Sequence, residues 1–359
     1  MTANNRIFIS VGDISGEIHA CNLVKEIKKI NPLCHICAVG GNDLKLIVDE
    51  FFENIVDMGV FGFLSLKQFF YLKKVLSKLK RYFTEKPPDK IILIDYYGFH
   101  IFVAKFAKKL KIPVYYYISP QVWASRSGRV KKLGKVVKKM LLILPFEDKL
   151  YKYHKIDAVF VGNPLIDIIP RKHNFNINSQ PVIGLFPGSR ENIVKRHIPV
   201  LFKTAKILKK EINAKFIMFV VKNNFNIDIP EYIKLETSKN LAKRMSIDFA
   251  ICPSGTVSLE NALMGIPMTV IYKLSYLNYF IIRLIIKTKY ITIINILSAK
   301  KIIPELIQFN ANPKKIAHSV LDQLNSKNYM LKAKELIAFR KQLGTPGVSK
   351  RTAQIILRD

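Results

Sequence analysis

The chain has 359 residues, which is enough for about two domains of roughly 150 to 200 residues each. Hydrophobic residues make up 49% and charged residues 23%, which excludes a disordered chain and is typical of a globular protein with a sizeable core. Four cysteines exclude a disulfide scaffold, and the net charge of +32 favours a polyanionic partner, either nucleic acid or an anionic lipid surface, unless it reflects a lysine-rich composition along the whole chain.

No targeting or membrane-spanning segment is expected from the sequence. Residues 1–6 lead directly into an apolar strand, without the hydrophobic region of a signal peptide. The longest apolar stretch, residues 276–296, is interrupted by Arg283, Lys287 and Lys289 and is therefore too polar for a membrane span. We expect a cytoplasmic protein with reduced thiols.

The first half of the chain alternates short apolar strands with amphipathic helices. In chain order, we predict strands at residues 7–11, 36–39, 91–95, 114–118, 141–144 and 159–161, with helices at 18–30 and 99–111. Such alternation is typical of βαβ units, in which helices cover both faces of a parallel sheet.

The second half repeats this pattern after a polar linker at residues 171–181. We predict strands at residues 182–185, 216–221, 249–252 and 268–272, helices at 195–212 and 257–264, and a helical end at 328–359 with a turn at 344–347. The sequence therefore predicts an α/β fold of two nucleotide-fold-like domains, at 1–170 and 181–335, followed by a helical segment at 336–359.

Each half carries a glycine-rich turn after its first apolar strand. The first is Val-Gly-Asp-Ile-Ser-Gly-Glu at 11–17, and the second is Phe-Pro-Gly-Ser-Arg at 186–190. Such a turn lets backbone N–H groups and a helix N-terminus approach an anion. Because only the second turn carries an adjacent arginine, we expect phosphate binding there.

Candidate functional residues of the first half follow the ends of predicted strands, where doubly wound sheets bind ligands. Asp95 ends the strand at 91–95, as either a general base or the N-cap of the following helix. Ser15 and Gly16 lie in the first glycine-rich turn, where they either line a ligand or simply form a tight turn.

In the second half, Arg190 offers a planar guanidinium suited to a diphosphate, or forms a surface salt bridge. Ser254, Gly255 and Thr256 lead a helix whose start is suited to a phosphate.

Two more candidates of the second half would contact a sugar or base. Glu260 lies one helical turn after Thr256, placed for ribose hydroxyls or exposed on the helix surface. Asn295 follows an apolar stretch and is weak evidence alone for a contact with a base or sugar.

Several other chemistries are not supported by the sequence. The segment Cys34-His35-Ile36-Cys37 has zinc-like spacing, but no second pair completes a tetrahedral site, so we expect no metal and no cofactor. No Ser/His/Asp triad is apparent, and the Gly-x-Gly-x-x-Gly fingerprint of dinucleotide-binding enzymes is missing.

Taken together, the motifs resemble the lipid-A-disaccharide synthase family of inverting glycosyltransferases, which have two facing Rossmann-like domains (the GT-B architecture). The most specific stretches are Ser-Pro-Gln-Val-Trp-Ala at 119–124 and Leu-Pro-Phe-Glu at 144–147. Matching stretches run nearly end to end, and the others lie at 12–17, 94–99, 161–167, 187–190, 254–260, Asn295 and 304–308.

The resemblance implies transfer of 2,3-diacylglucosamine from its UDP derivative to 2,3-diacylglucosamine 1-phosphate, giving a β-1,6-linked disaccharide 1-phosphate without a divalent metal. It implies that Arg190, Glu260 and Asn295 contact UDP on the second domain and that Ser15 and Gly16 line the cleft. Asp95 would be the base, and the C-terminal helix would pack back toward the first domain. Since Gly98 stands where some members carry a second aspartate, Asp95 is the only carboxylate of its loop.

Lipid substrates would bring the protein to the inner face of the inner membrane as a peripheral enzyme. The stretch 61–81 is the best candidate surface, because apolar residues recur at three- and four-residue steps among lysines. We expect Phe61, Phe63, Leu64 and Phe69 to face acyl chains. The alternative is an ordinary core-facing helix with a solvated lysine face.

Two other classes of function remain open at this stage. One is another UDP-sugar enzyme of similar architecture, such as a UDP-N-acetylglucosamine epimerase or the peptidoglycan glucosaminyltransferase. The other is a basic nucleic-acid-binding protein, although no nucleic-acid-binding signature is visible and we expect no nucleic-acid partner. The expected partners are the two lipid-sugar substrates and the membrane, with a second copy of the chain as a further candidate.

Overall fold

The structure is a computed structural model that describes residues 5–57, 66–120, 128–172, 175–177, 179–221, 228–285 and 288–359. Its strands are β1 (Arg6–Val11), β2 (His35–Gly40), β3 (Glu50–Asn54), β4 (Lys90–Ile94), β5 (Val114–Tyr117), β6 (Lys139–Leu142), β7 (Ala158–Phe160), β8 (Val182–Leu185), β9 (Lys215–Val220), β10 (Ile233–Thr237), β11 (Phe249–Pro253), β12 (Met268–Tyr272) and β13 (Glu305–Ile307).

The helices lie between the strands and at the end of the chain. They are α1 (Ile14–Ile30), α2 (Asn42–Lys45), α3 (Leu66–Glu85), α4 (Tyr97–Lys109), α5 (Gly128–Gly134), α6 (Glu147–Tyr153), α7 (Leu165–Ile168), α8 (Glu191–Glu211), α9 (Leu241–Met245), α10 (Thr256–Met264), α11 (Tyr276–Ile285), α12 (Ile293–Ser298), α13 (Pro313–Leu324), α14 (Ser326–Gln342) and α15 (Val348–Arg358). The chain divides into unit 1, Met1–Asp167 with Leu343–Asp359, and unit 2, Ile168–Gln342.

Unit 1 is built on a parallel sheet whose described strands follow the order β3-β2-β1-β4-β5-β6-β7. Along β1, Phe8 packs into one apolar cluster while Ile7 and Ile9 pack into a second cluster on the opposite face. The two faces are both covered, as the continuous apolar strands predict. The α/β class is therefore confirmed for this half of the chain, whose described strands form one parallel sheet.

Helix α15 completes the core of unit 1. Its residues Val348, Ala353 and Ile356 are buried in the same cluster as Ile7 and Ile9 of β1, and the helix packs against α1. At its start, the Asp167 carboxylate accepts hydrogen bonds from the amides of residues 347, 348 and 349 at 2.7, 3.3 and 3.1 Å. These bonds satisfy N–H groups that have no partner within a helix.

Unit 2 has a second parallel sheet, whose described strands follow the order β10-β9-β8-β11-β12-β13. The linker before this sheet is held by the buried Asp248. Lys172 of the linker donates to Asp248 Oδ1 at 3.2 Å, and the Val182 amide donates to Asp248 Oδ2 at 2.9 Å. Helix α14 packs on α10, and Arg340 of α14 donates to the carbonyls of Leu263 and Ile169 at 2.8 and 2.9 Å. The helical end predicted for residues 328–359 is thus two helices, α14 and α15, on either side of the predicted turn.

In helix α3, most of the apolar repeat that was expected to face the membrane is buried instead. Leu72, Leu79 and Phe83, which belong to its three- and four-residue apolar repeat, are buried in the core of unit 1. The repeat therefore forms a core-facing stripe, because this spacing places its members on one side of a helix. Within the described residues, no helix is both long enough and apolar enough to cross a membrane.

Candidate functional site

Both sheets reverse their winding direction between two neighbouring strands, and several of the predicted site residues, among them Asp95 and Arg190, follow the strands at these points. In unit 1 the reversal falls between β1 and β4, where Val11 is paired with Ile94. In unit 2 it falls between β8 and β11, where Leu185 is paired with Ile251. Open parallel sheets bind ligands outside the carboxyl ends of strands at such reversals.

The backbone at Asp95 is held in an unusual conformation directly after β4. Asp95 and Tyr96 have φ values of 50° and 45°, in the left-handed region that residues with side chains seldom occupy. The Asp95 carbonyl accepts hydrogen bonds from His100 Nδ1 at 2.8 Å and from the Tyr116 hydroxyl. Two such bonds on one carbonyl over-determine the turn, and backbone strain of this kind occurs at functional sites.

His100 fixes this turn in one hydrogen-bonding state. Burial lowers the pKa of His100 to about 4, so the imidazole is neutral near pH 7. Because its Nδ1 must carry the hydrogen donated to the Asp95 carbonyl, its Nε2 accepts from the Ser10 hydroxyl at 2.8 Å. Since Ser10 belongs to β1, His100 fastens the loop after β4 to the neighbouring strand.

The Asp95 carboxyl group holds its proton more tightly than an ordinary aspartate. Burial and, secondarily, the negative charge of Asp13 raise its pKa to about 7, against a smaller opposing effect of the Tyr96 amide. Burial also raises the pKa of Asp13, although its hydrogen bonds with the Gly16 and Ser15 amides act against the shift. Asp13 Oδ1 is buried and has no hydrogen-bond partner in the part of the chain that the structure describes. A carboxyl group with a pKa near 7 is suited to general base catalysis.

The first glycine-rich turn packs closely around these carboxylates. A Cβ atom at Gly16 would lie 2.6 Å from Asp13 Oδ1, and one at Gly12 would lie 2.2 Å from the Tyr96 ring. The Gly16 amide donates to Asp13 Oδ2 at 3.2 Å, whereas Ser15 is exposed on the first turn of α1. Gly16 therefore supports the N-cap of α1, and Ser15 is the residue of this pair that faces solvent.

The second glycine-rich turn is anchored by a buried histidine. His197 Nε2 accepts from the Lys273 amide at 3.1 Å, so its Nδ1 carries the hydrogen donated to the Pro187 carbonyl at 3.0 Å. Burial lowers the pKa of His197 to about 4. Gly188 has a φ of 108°, and Arg190 follows it at the exposed N-cap position of α8. Arg190 is thus the N-cap residue of a helix, and a guanidinium and a helix N-terminus each favour an anion.

The start of α10 offers a second N-terminus at the same reversal. Gly255 and Thr256 are exposed, and the φ of Gly255, 142°, is one that side-chain-bearing residues rarely adopt. Ser254 is turned away from this exposed end, because its hydroxyl donates to the Ile291 carbonyl at 2.7 Å. The first amides of a helix have no intrahelical acceptor, so this end is suited to phosphate oxygens.

Glu260 is paired with an arginine that the sequence did not reveal. Its Oε2 accepts from Arg244 Nη1 at 2.7 Å, while Arg244 Nη2 donates to Asn261 Oδ1 at 2.8 Å. Arg244 is buried, and its guanidinium lies 5.5 Å from the centre of the Phe186 ring. Since no motif surrounds Arg244, it is identified by its hydrogen bonds to Glu260 and Asn261 of α10.

Asn295 is fully buried in a hydrogen-bond network. Its amide donates to the Ile303 carbonyl and to Glu305 Oε1, both at 2.8 Å, and its Oδ1 accepts from the Ile303 amide at 3.0 Å. Glu305 also accepts from the Thr292 hydroxyl at 2.7 Å and from the Thr292 and Ile291 amides at 3.0 Å. A direct contact between Asn295 and UDP would require its side chain to leave this network.

A basic cavity of about 220 Å³ lies beside the start of α8. Its lining includes Lys195, Arg196 and Lys273, together with the side chains of Gln308 and Phe309. Gln308 fastens this wall, because it accepts from the Leu274 amide at 3.0 Å and donates to the Leu274 carbonyl at 3.2 Å. The sequence analysis missed this cavity, since its residues come from three separate segments and only Gln308 belongs to a motif that the sequence analysis singled out.

The residues expected to face acyl chains are only partly described. Phe61, Phe63 and Leu64 lie outside the described residues. Phe69, in the first turn of α3, is 53% exposed, and its neighbour Phe70 is 63% exposed with the two rings in edge contact.

Comparison with known proteins identifies the family. The lipid-A-disaccharide synthetase family model matches residues 7–358. The chain is 36% identical to a lipid-A-disaccharide synthase of Geobacter metallireducens, over 99% of this chain and 97% of that protein. It is 32% identical to the Coxiella burnetii enzyme of the same name, over 99% of this chain and 98% of that protein.

Solved structures with the same fold are more distant in sequence. A UDP-GlcNAc 2-epimerase from Neisseria meningitidis bound to UDP-GlcNAc has a TM-score of 0.66 at 14% identity, over 99% of this chain and 100% of that one. A glycotransferase of kitacinnamycin has a TM-score of 0.64 at 12% identity, over 99% of both chains. These likenesses show the GT-B-type α/β fold, whereas the family model and the curated relatives show that the chain belongs to the lipid-A-disaccharide synthetase family.

Proposed function

We propose that the protein condenses UDP-2,3-diacylglucosamine with 2,3-diacylglucosamine 1-phosphate, forming the β-1,6-linked lipid A disaccharide 1-phosphate and UDP. Membership of the family along residues 7–358 supports this activity. The observation that carries the mechanism is the partly buried Asp95 carboxyl group, which lies at the reversal of the first sheet and interacts electrostatically with Asp13.

In the proposed reaction, Asp95 takes the proton of the acceptor 6-hydroxyl while the hydroxyl oxygen attacks C1 of the donor sugar. The new C–O bond forms on the face opposite the UDP, and the bond between C1 and the phosphate oxygen breaks, so UDP leaves with the electron pair. Because UDP is displaced from C1 in a single step, the configuration at C1 is inverted. The left-handed turn, held by His100 and Tyr116, keeps the carboxyl group in place during this proton transfer.

The donor is proposed to bind unit 2. Arg190 and the exposed N-terminus of α10, at Gly255 and Thr256, would neutralise the charge that develops on the departing diphosphate. Glu260, oriented by Arg244, would accept a hydrogen bond from a ribose hydroxyl.

Two further residues of unit 2 are proposed to act through the backbone that they hold. Asn295 would act as a positioning residue through Glu305 and the segment at 291–292. Ser254 would act through its bond to Ile291. On unit 1, Ser15 would line the acceptor side, where Gly16 packs beneath it.

The activity is tested by UDP release from UDP-2,3-diacylglucosamine in detergent, with and without 2,3-diacylglucosamine 1-phosphate. We expect release that depends on the acceptor, and a fall in kcat of at least about a hundredfold for Asp95→Asn because the amide cannot accept the proton. Asp148→Asn, a change at a partly exposed aspartate paired with Lys152, is the matched control and should retain activity. Conversion of UDP-N-acetylglucosamine without any lipid acceptor would instead support an epimerase.

The pH dependence of kcat/KM tests the electrostatic effect of Asp13 on the pKa of Asp95. A base must be deprotonated to act, so activity should rise with pH through about 7. Asp13→Asn removes a negative charge while keeping an effective N-cap, so it should lower the pKa of Asp95 and move the rise to lower pH. An unchanged profile in this variant would contradict the electrostatic coupling.

Binding of UDP, measured by isothermal titration calorimetry, tests the donor site. Arg190→Ala should weaken UDP binding about tenfold or more, since a charge-assisted hydrogen bond is lost. The UDP affinity of Arg190→Lys should lie between those of the unaltered protein and Arg190→Ala, because lysine keeps the positive charge without the planar guanidinium. Arg283→Ala, at an exposed arginine of α11, is the control, and equal affinities for all four proteins would remove Arg190 from the site.

We also propose that unit 1 meets the inner face of the inner membrane through the first turn of α3. Leu66, Phe69 and Phe70 are exposed there, and the exposed Lys67, with Lys73 and Lys74 on the following turn, supplies positive charge. Exposed aromatic rings beside lysines are suited to the interface of an anionic bilayer.

Co-sedimentation with vesicles of phosphatidylglycerol and phosphatidylcholine tests this surface. The double change Phe69→Ser with Phe70→Ser should weaken binding about tenfold or more, because two rings no longer leave water. Tyr153→Ser, at an exposed tyrosine of α6, is the control for loss of an aromatic ring. If the double variant and the control bind as the unaltered protein does, this part of α3 is not the membrane contact.

A further inference from the structure

A cluster of three different metal-ligating side chains lies in unit 1, at the end of the sheet opposite to Asp95. His35 and Cys37 are two residues apart on β2 and so point to the same face, and Glu50 of β3 is paired in register with Cys37. One ligand atom from each lies within 4.8 Å of the others. All three residues stand near the amino ends of their strands, whereas Asp95 follows the carboxyl end of β4.

The spacing of the three atoms suits a small tetrahedral cation. Cys37 Sγ is 3.5 Å and His35 Nε2 is 3.6 Å from Glu50 Oε2. With usual zinc bond lengths and tetrahedral angles, a sulfur and an oxygen ligand lie about 3.5 Å apart, and a nitrogen and an oxygen ligand about 3.3 Å apart. The third pair, Cys37 Sγ and His35 Nε2, lies within 4.8 Å, so these two side chains would need to approach each other only if their atoms are farther apart than the tetrahedral spacing.

The imidazole is already turned toward this position. His35 Nε2 is buried and has no hydrogen-bond partner among the described residues. A buried polar atom of this kind is uncommon, because its desolvation costs free energy unless a partner compensates for it. A cation held with Cys37 and Glu50 would provide that partner.

The surrounding residues hold the carboxylate in place. The Tyr82 hydroxyl donates to Glu50 Oε2 at 3.0 Å, lies 3.1 Å from Cys37 Sγ, and accepts from Arg6 at 3.2 Å. Cys37 Sγ also donates to Glu50 Oε2 at 3.5 Å, so the carboxylate is oriented toward the other members of the cluster. Such outer partners orient metal ligands in known sites.

We propose that His35, Cys37 and Glu50 form a binding site for a zinc-like divalent cation, with water as the fourth ligand, and that this ion ties the edge strand β3 to β2. When the cation binds, the Cys37 S–H bond breaks, the proton goes to water and the thiolate sulfur coordinates the cation. The Cys-x-x-Cys spacing that the sequence suggested is not the ligand pair, because Cys34 is buried in the apolar cluster on the opposite face of the sheet from Cys37. The site is independent of the proposed transferase reaction.

Cobalt binding to the full-length, chelator-treated protein tests the ligand set. Co²⁺ should produce the near-ultraviolet thiolate charge-transfer band in the unaltered protein and in Cys34→Ser, the matched control. The band should be lost in Cys37→Ser, and His35→Gln should weaken Co²⁺ affinity about tenfold or more. Absence of the band in the unaltered protein, or its persistence in Cys37→Ser, would overturn the proposal.

Thermal unfolding with Zn²⁺ provides a second measurement that does not require a change at the buried cysteine. Zn²⁺ should raise the unfolding temperature of the unaltered protein and of Cys34→Ser, because an ion that binds the folded state stabilises it. The increase should be smaller in Glu50→Gln, whose side chain is only half-buried. An increase of the same size in Glu50→Gln would show that Zn²⁺ binds elsewhere and would overturn the site.

Discussion

The geometry of the proposed catalytic centre depends on how one peptide carbonyl is held. The Asp95 carbonyl receives hydrogen bonds from His100 and Tyr116, and these bonds maintain two consecutive residues in a left-handed conformation. Each such residue costs of the order of 1–3 kcal/mol, so the turn persists only because its surroundings over-determine it. The position of the Asp95 carboxyl group beside Asp13, and with it the raised pKa, follows from this arrangement.

The two units use the same device at different places. In each unit, a buried histidine with a lowered pKa stays neutral and joins a loop at the carboxyl end of one strand to another segment. His100 joins the loop after β4 to strand β1. His197 joins the loop after β8 to the loop after β12. A neutral imidazole donates through one nitrogen and accepts through the other, so it connects two fixed groups without burying a charge. No sequence motif marked these histidines, because their partners are distant in the chain or belong to the backbone.

Local signals accounted for most of the fold. The helix of α4 and the central strands of both sheets were predicted to within a few residues, since buried parallel strands are continuous apolar runs. The edge strands β3 and β10 were missed: Glu50–Asn54 and Ile233–Thr237 contain several charged or polar residues and are only partly buried. Strands of this kind lack the periodicity from which a strand can be recognised.

The site was predicted less completely, because its chemistry depends on contacts between distant segments. Asp95 was identified from its position at a strand end, but its coupling to Asp13 requires the pairing of β1 with β4, which no local pattern reveals. Likewise, the sequence could not distinguish an amide that binds a ligand from the buried amide of Asn295, nor predict that Arg244 would pair with Glu260.

The discontinuity of unit 1 has a consequence for the order in which the protein folds during synthesis. Unit 2 is a single stretch, Ile168–Gln342, inserted between the two parts of unit 1. The cluster that contains Ile7 and Ile9 also contains Val348 and Ile356, so its apolar face stays incomplete until residues 348–356 have left the ribosome. Domains generally fold as they emerge. Unit 2 is therefore able to fold first, whereas the core of the sheet that carries Asp95 is complete only after α15 has been synthesised.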